Sequence, residues 1–277
     1  MSAKSDFQHI GWLTATSSTF TTSDGRPVSH WKFAATTETG VWSTWAKHFC
    51  SHYIPDAMID QLRKGTSHKT RAEFLRALIF PDDKNPPGPS VRSGDFCEVL
   101  VADLLESDFG FYVPRTRFHQ KSIRNESTKG SDVIAIKFNS PGSISSEDLL
   151  AIYEVKGKLT GKLEQESSRL QDAINDSCKD DMRCAESLNA AKRRLLEEGK
   201  EEEANIIERF QNATDTPYDY RPGAAAVISS TCWSIKQLDV TTCEGHPYAQ
   251  VLHLMLIEAD DFMSVASELY RLAADEA

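Results

Sequence analysis

Short apolar runs alternate with longer amphipathic segments along the chain, and this alternation predicts a mixed α/β protein. Near the N-terminus, two β-type runs flank the Asp24-Gly25 turn signal and predict a hairpin. Residues 41–80 are predicted to be helical, with breaks near Pro55 and around Gly65. The segment 83–90 (DKNPPGPS) carries three prolines and one glycine, so we expect a structural boundary there.

This boundary divides the chain into an N-terminal α/β extension, residues 1–90, and a core, residues 91–277. The elements predicted in the core are a helix at 93–108 with Ser93 as its N-cap, strands at 111–119, 131–138 and 149–156, a helical stretch at 162–212, strands at 223–231 and 250–259, and a helix at 260–274. Their order predicts a central mixed β-sheet with helices on both sides.

Charge and cysteine content narrow the classes of protein that fit. The net charge of −10 argues against a protein that coats nucleic acid, because neutralising phosphates needs Lys and Arg. The six cysteines show no CxxC spacing, which argues against a zinc site and favours a reduced, cytoplasmic protein. No apolar stretch approaches the length of a membrane span, so we expect no membrane contact.

A basic segment, residues 115–129, stands out from this acidic background. Its cations oppose a single acid, Glu126, and they would follow a DNA backbone if the segment binds nucleic acid. The predicted DNA-binding residues are Arg115, Arg117, Lys121, Arg124, Lys129 and Lys158. A solvated basic strand is the alternative interpretation.

Acidic residues end or begin two neighbouring predicted strands. Glu154 and Lys156 close an apolar run, and they share one face because alternate side chains of a strand point the same way. Asp132 opens the preceding strand, and a short Pro-Gly connection allows the two strands to pair antiparallel. The two carboxylates would then meet at one end of the sheet. Taken singly, the three residues could also be an edge salt pair and a turn aspartate.

A third carboxylate, Glu98, lies at the edge of the apolar face of the helix predicted at 93–108. It is either a surface group or a ligand that reaches the sheet. Glu98, Asp132 and Glu154 together offer hard oxygen ligands of the kind that Mg²⁺ prefers, and Mn²⁺ is the alternative. Lys156 would then orient or deprotonate the attacking water or neutralise developing charge. Nearby carboxylates favour the charge-stabilising role.

The order of a helix glutamate, a strand aspartate and a strand Glu-x-Lys resembles the PD-(D/E)xK nuclease superfamily, although Ser131 stands where that motif has proline. The blocks RSGDFCE (92–98), KGSDVIAIKF (129–138) and YEVKGKL (153–159) more closely resemble the HamA family, the effector nucleases of Hachiman antiphage defence systems. This resemblance implies a restriction-endonuclease-like core and catalytic roles for Glu98, Asp132, Glu154 and Lys156. It also implies DNA as the substrate and a heterodimer with a helicase of the HamB kind.

Two other functions remain open from the sequence. One is a stand-alone restriction or repair nuclease with the same site, and the other is a nuclease-fold subunit that binds DNA or protein without cutting. We expect a partner to dock on residues 1–90. The aromatic residues Trp31, Trp42, Trp45 and Tyr53 are of types favoured as interface anchors, and packing in the core is an equal alternative.

Overall fold

The computed structural model describes residues 4–119, 121–140, 142–162 and 167–277, without the side chains of 4–6 and 181. A 3₁₀ segment, Lys4–Trp12, precedes the first strand. The strands are β1 (Leu13–Ala15), β2 (Phe20–Thr21), β3 (Pro27–Phe33), β4 (Val133–Lys137), β5 (Leu149–Lys158), β6 (Asp219–Ser229) and β7 (His253–Ala259). The helices are α1 (Thr39–Ser51), α2 (Asp56–Arg63), α3 (Arg71–Phe74, continued by a π-helical turn at Leu75–Ile79), α4 (Gly88–Ser107), α5 (Arg169–Ser177), α6 (Asp180–Glu197), α7 (Glu201–Glu208) and α8 (Phe262–Asp275).

One mixed sheet organises these elements in the order β1-β3-β7-β6-β5-β4, with β2 paired to β3. Strands β3, β7, β6 and β5 run parallel to one another, whereas β1 and β2 pair antiparallel with β3, and β4 pairs antiparallel with β5. The middle strands are buried on both faces, which explains their nearly continuous apolar sequence. The predicted fold class, a central mixed sheet flanked by helices, is confirmed and is consistent with an α+β nuclease-like core.

Each face of the sheet has its own helical layer. Alternate residues of β5, including Tyr153 and Val155, belong to the large core that also contains residues of α1, α4 and α8. The opposite face packs against α5, and at its β4–β5 end against α6 and α7, where Leu150 meets Leu195 and Ile207. The alternation along β5 therefore directs Glu154 and Lys156 towards the α5–α6 side.

Residues before the predicted boundary take part in the same sheet and core. Strand β3 pairs with β7 in parallel, and α1 packs against α8. Two of the four suggested interface anchors, Trp45 and Tyr53, are buried at 1% and 4% exposure, while Trp31 and Trp42 pack partly buried against the core. The packing alternative is correct for Trp45 and Tyr53. A docking role for the region 1–90 as a whole stays a prediction.

Two local predictions are wrong. The segment 111–119 is not a strand, since only Tyr112 bridges to Ile136 and the remainder is loop and turn. Pro114 lacks a backbone N–H for a strand ladder, and the basic side chains that follow turn to separate acidic partners. The helix containing Glu98 begins at Gly88, so Ser93 lies inside it and is not its N-cap. None of the helices described is long and apolar enough to cross a membrane.

Candidate active site

The antiparallel pairing of β4 with β5 brings two predicted ligands together. Their register aligns Val133 with Tyr153. Asp132, which immediately precedes the first residue of β4, therefore lies opposite Glu154. The Asp132 carboxylate accepts a hydrogen bond from the backbone N–H of Val155, at 2.9 Å between Oδ2 and N. This bond holds Asp132 against β5 beside Glu154, as the antiparallel prediction requires.

Lys156 lies beside these carboxylates on the same face of β5. Its Nζ is 2.7 Å from Glu154 Oε1 and 2.7 Å from Asp176 Oδ2. The Glu154 side chain is only 7% exposed, whereas 27% of the Lys156 side chain is exposed. The lysine is therefore held by two carboxylates and still has access to solvent.

A close approach between α4 and β5 positions Glu98. A Cβ on Gly157 would lie 2.6 Å from Cys97 Sγ and 3.8 Å from the carbonyl oxygen of Ser93. Only glycine permits this separation, because a methyl group there would overlap the sulfur. The helix thus reaches the strand at the residue adjoining Glu98 and immediately after Lys156.

Arg117 links Glu98 to Asp132. Its Nε lies 2.6 Å from Glu98 Oε2, and its Nη2 lies 2.7 Å from Asp132 Oδ1. The same guanidinium also donates to the backbone carbonyls of Ser131 and Thr128. The segment after α4 therefore brings a cation between two predicted metal ligands, and these contacts were not apparent from the sequence.

The carboxylates of Glu98, Asp132 and Glu154 are largely buried and repel one another. Burial raises the pKa of Glu98 well above its usual value, and Asp132 adds to the rise while Arg117 opposes it. Burial and Asp132 also raise the pKa of Glu154, against the effect of Lys156. A site that crowds acids in this way favours bound cations, because a cation removes the repulsion.

Two further acids belong to the site and were missed by the sequence analysis. Asp176, near the end of α5, binds Lys156. Asp180, the first residue of α6, has a pKa raised to about 7 by burial and by the charges of Glu154 and Asp132. These two acids lie on two successive helices, so no single helical spacing in the sequence indicated that both reach the site.

The donor set has the chemistry that a hard divalent cation prefers. Asp132, Glu154 and Asp180 offer carboxylate oxygens, and Asp180 Oδ2 is buried without a hydrogen-bond partner among the described atoms, although the ligand atoms of these three residues do not all lie within 4.8 Å of one another in the described structure. The three predicted ligands, Glu98, Asp132 and Glu154, do not form a group whose ligand atoms all lie within 4.8 Å of one another in the described structure. Arg117 occupies the side of Asp132 that faces Glu98.

A model of the family described as HamA matches residues 8–273. The chain belongs to the HamA family. HamA is the family of a Hachiman defence protein, which supports a role in antiphage defence. The match extends across the predicted boundary at residue 90, in agreement with the shared sheet. No curated protein and no solved structure gives a significant match.

The predicted DNA-binding residues differ in whether they form ion pairs within this HamA chain. Arg115 pairs with Asp103 and Glu106, Lys121 with Asp95, and Arg124 with Asp82, as Arg117 does with Glu98 and Asp132. Lys129 is exposed, and Lys158 is half-buried. Most of the basic segment is thus engaged in ion pairs within the chain, and Lys129 presents its charge to solvent.

Proposed function

We propose that this HamA chain is a metal-dependent deoxyribonuclease that hydrolyses phosphodiester bonds as an effector of antiphage defence. The observation that carries the proposal is the juxtaposition of Asp132 and Glu154 across paired strands with Lys156 beside them. Phosphodiester hydrolysis needs ligands for a cation and a group that neutralises developing charge. The buried carboxylates can serve as the ligands, and the lysine can neutralise the charge.

Mg²⁺ or Mn²⁺ would be held by Asp132 and Glu154, with Asp180 as a further oxygen donor and Glu98 available once Arg117 moves. When bound, the cation would polarise the phosphate and make an attacking water more acidic. Arg117 keeps Glu98 and Asp132 in place in the absence of the cation, because it balances their charges.

Lys156 acts as a charge stabiliser in this proposal. Burial alone lowers the pKa of Lys156, but hydrogen bonds to Asp176 and Glu154 outweigh burial and raise it above its usual value. The ammonium is therefore protonated at neutral pH and cannot accept a proton from water. Its place beside Glu154 suits neutralisation of the charge that develops on the phosphate.

A shallow depression next to Asp132 suits the DNA backbone. Lys129, Arg194 and Arg117 line it together with Asp132. Arg194 lies on α6 and has a buried Nε without a hydrogen-bond partner among the described atoms. We assign Lys129 and Arg194 to phosphate contacts, because both carry positive charge and line the depression beside the Asp132 carboxylate.

The test is cleavage of plasmid and linear DNA by the purified full-length chain in Mg²⁺, Mn²⁺ or Ca²⁺ and in excess EDTA. We expect Glu154→Gln and Lys156→Met each to lower the rate by at least about 100-fold, the range lost when one charge-stabilising group is removed. Glu126→Gln and Lys236→Met are matched controls at exposed positions and should cleave like the unmodified chain.

Two results would overturn the assignment. One is full activity of a folded Glu154→Gln protein, with folding checked by circular dichroism. The other is undiminished cleavage in EDTA. Binding of DNA without cleavage under every metal condition would favour a nuclease-fold subunit that binds without cutting.

A helicase partner of the HamB kind completes the proposal, and membership of a defence family supports it. The exposed apolar residues Met58 and Leu62 lie four positions apart on α2, within the N-terminal region expected to dock the partner. We expect Met58→Glu/Leu62→Glu to weaken co-elution with the co-expressed helicase, and Ile235→Glu, an exposed apolar site elsewhere, to leave it unchanged. A chain that never co-elutes with the helicase would support the stand-alone nuclease.

A further inference from the structure

A second group of metal-ligating side chains shares no residue with the carboxylate site, although His52 lines the same pocket as Glu98 and Asp132. His48 lies in the last turn of α1, and His52 is the residue that caps the C-terminus of this helix. The two are four residues apart and therefore share one face, and Asp103 contacts them from α4. His48 Nε2 lies 2.9 Å from Asp103 Oδ1 and 3.2 Å from His52 Nε2. His52 Nε2 lies 4.0 Å from the same oxygen.

These separations match a tetrahedral metal site. Ligands bound at about 2.0–2.2 Å in tetrahedral geometry lie roughly 3.3–3.6 Å from one another. The three observed separations of 2.9, 3.2 and 4.0 Å bracket that value. The three ligand atoms therefore lie within about 0.7 Å of the pairwise spacing that one shared tetrahedral metal ion requires.

The surroundings prepare the ligands for a cation. The His52 side chain is 5% exposed and the Asp103 side chain is fully buried, so both groups are shielded from water. His9 Nε2 lies 2.9 Å from the other oxygen, Asp103 Oδ2, and His9 stacks on Trp45 at 4.4 Å between ring centroids. Such an outer histidine fixes the orientation of a ligating carboxylate.

Arg115 supplies the positive charge in the structure as it stands. Its Nη1 lies 2.7 Å from Asp103 Oδ1 and 2.6 Å from His52 Nε2. Its Nε and Nη2 both bind Glu106, so the guanidinium keeps a carboxylate partner if Nη1 is displaced. A metal ion can thus replace the two contacts of Nη1 without leaving the arginine unpaired.

We propose that His48, His52 and Asp103 bind a zinc ion or another divalent first-row transition metal, with a set of ligands distinct from the carboxylate cluster. Two imidazoles and one carboxylate suit zinc better than magnesium, because nitrogen ligands favour the softer ion. A cavity of about 280 Å³ adjoins the site and is lined by His48, Glu106, Arg115 and His119. It leaves room for water as the fourth ligand.

Binding at this site joins α1 to α4. The first helix belongs to the N-terminal region, and the second carries Glu98, so the metal would fasten the N-terminal region to the helix of the proposed nuclease site. The site acts as a structural cross-link, and it does not depend on whether the chain cuts DNA.

The test uses the full-length chain prepared without a histidine tag, stripped with EDTA and dialysed against Zn²⁺ or Co²⁺. We expect elemental analysis to find one Zn²⁺ per chain bound at this site. Any Zn²⁺ held at the carboxylate site is identified by comparison with a Glu154→Gln/Asp132→Asn variant, which lacks that site. With Co²⁺ we expect visible d–d absorption typical of tetrahedral coordination, which Zn²⁺ abolishes by competition. Saturating Zn²⁺ should raise the melting temperature by about 5 °C or more.

Variants assign the signal to these residues. His48→Gln/His52→Gln should lose the Co²⁺ spectrum and the thermal shift, whereas His68→Gln, a histidine on a loop, should retain both. The Glu154→Gln/Asp132→Asn variant should also retain both, which separates this site from the carboxylate site. The Co²⁺ titration of the unmodified chain needs no variant and keeps the test valid if the histidine variant misfolds. Absence of tetrahedral absorption from the unmodified chain, or its retention in a folded His48→Gln/His52→Gln protein, would overturn the proposal.

Discussion

The contact between Gly157 and Cys97 sets the distance between the proposed catalytic strand and the helix that carries Glu98. Replacing Gly157 with alanine would place a methyl carbon 2.6 Å from Cys97 Sγ. The Cys97 side chain is buried at 1% exposure, and helical packing limits its rotamers, so the sulfur cannot easily move aside. The strain must then shift α4 away from β5.

The size of the effect follows from overpacking. Carbon and sulfur need about 1 Å more than the structure allows, and such overpacking in a core costs about 1–3 kcal/mol. Alanine loses less backbone entropy than glycine on folding, which offsets about 0.5–1 kcal/mol. We therefore expect Gly157→Ala to lower the free energy of unfolding by about 1–2 kcal/mol and to slow DNA cleavage by moving Glu98.

A double-mutant cycle tests the cause. In Gly157→Ala/Cys97→Ala the nearest atom of residue 97 would be its Cβ at 3.7 Å, an ordinary contact. The double variant should therefore be no less stable than Cys97→Ala alone, with a coupling energy of about 1–2 kcal/mol. Urea unfolding followed by circular dichroism gives the four free energies, and plasmid cleavage gives the four rates.

Two outcomes would refute this reasoning. Gly157→Ala could be as stable as the unmodified chain to within about 0.5 kcal/mol. Alternatively, its loss could simply add to that of Cys97→Ala, which would mean that the two residues are not in contact.

Three other buried groups give independent predictions. Arg117→Met should raise the affinity for Mn²⁺ several-fold in calorimetry, because it frees Glu98 from a competing cation; an unchanged affinity would contradict that role. Cys50, whose pKa burial raises to about 12, should resist maleimide at pH 8 until the protein unfolds, as peptide mapping can verify. Arg209→Ala should lower the free energy of unfolding in urea by about 3–5 kcal/mol, because it leaves the fully buried Asp148 without its ion-pair partner. A loss below about 1 kcal/mol would contradict a stabilising role of the buried pair.

Local pattern alone determined much of the sheet. The apolar run ending in Glu154 and Lys156 predicted strand β5, and the short connection from Asp132 predicted its antiparallel partner β4. Both follow from the period of two along a strand and from the geometry of short connections, which act over a few residues. The predicted helices also exist, with shifted boundaries at α4 and an additional break before α6.

Tertiary structure decided which charged residues meet. The sequence predicted a strand at Arg117. In the structure, the segment after α4 passes close to the start of β4, and the Arg117 guanidinium therefore contacts both Glu98 and Asp132. Asp180 reaches the site from α6, and Asp103 meets His48 across 55 positions of the chain. Ion pairs form between side chains that packing brings together, and no local period encodes that choice. The sequence therefore determined the strands and their acidic ends, and only the packed fold determined which charges neutralise them.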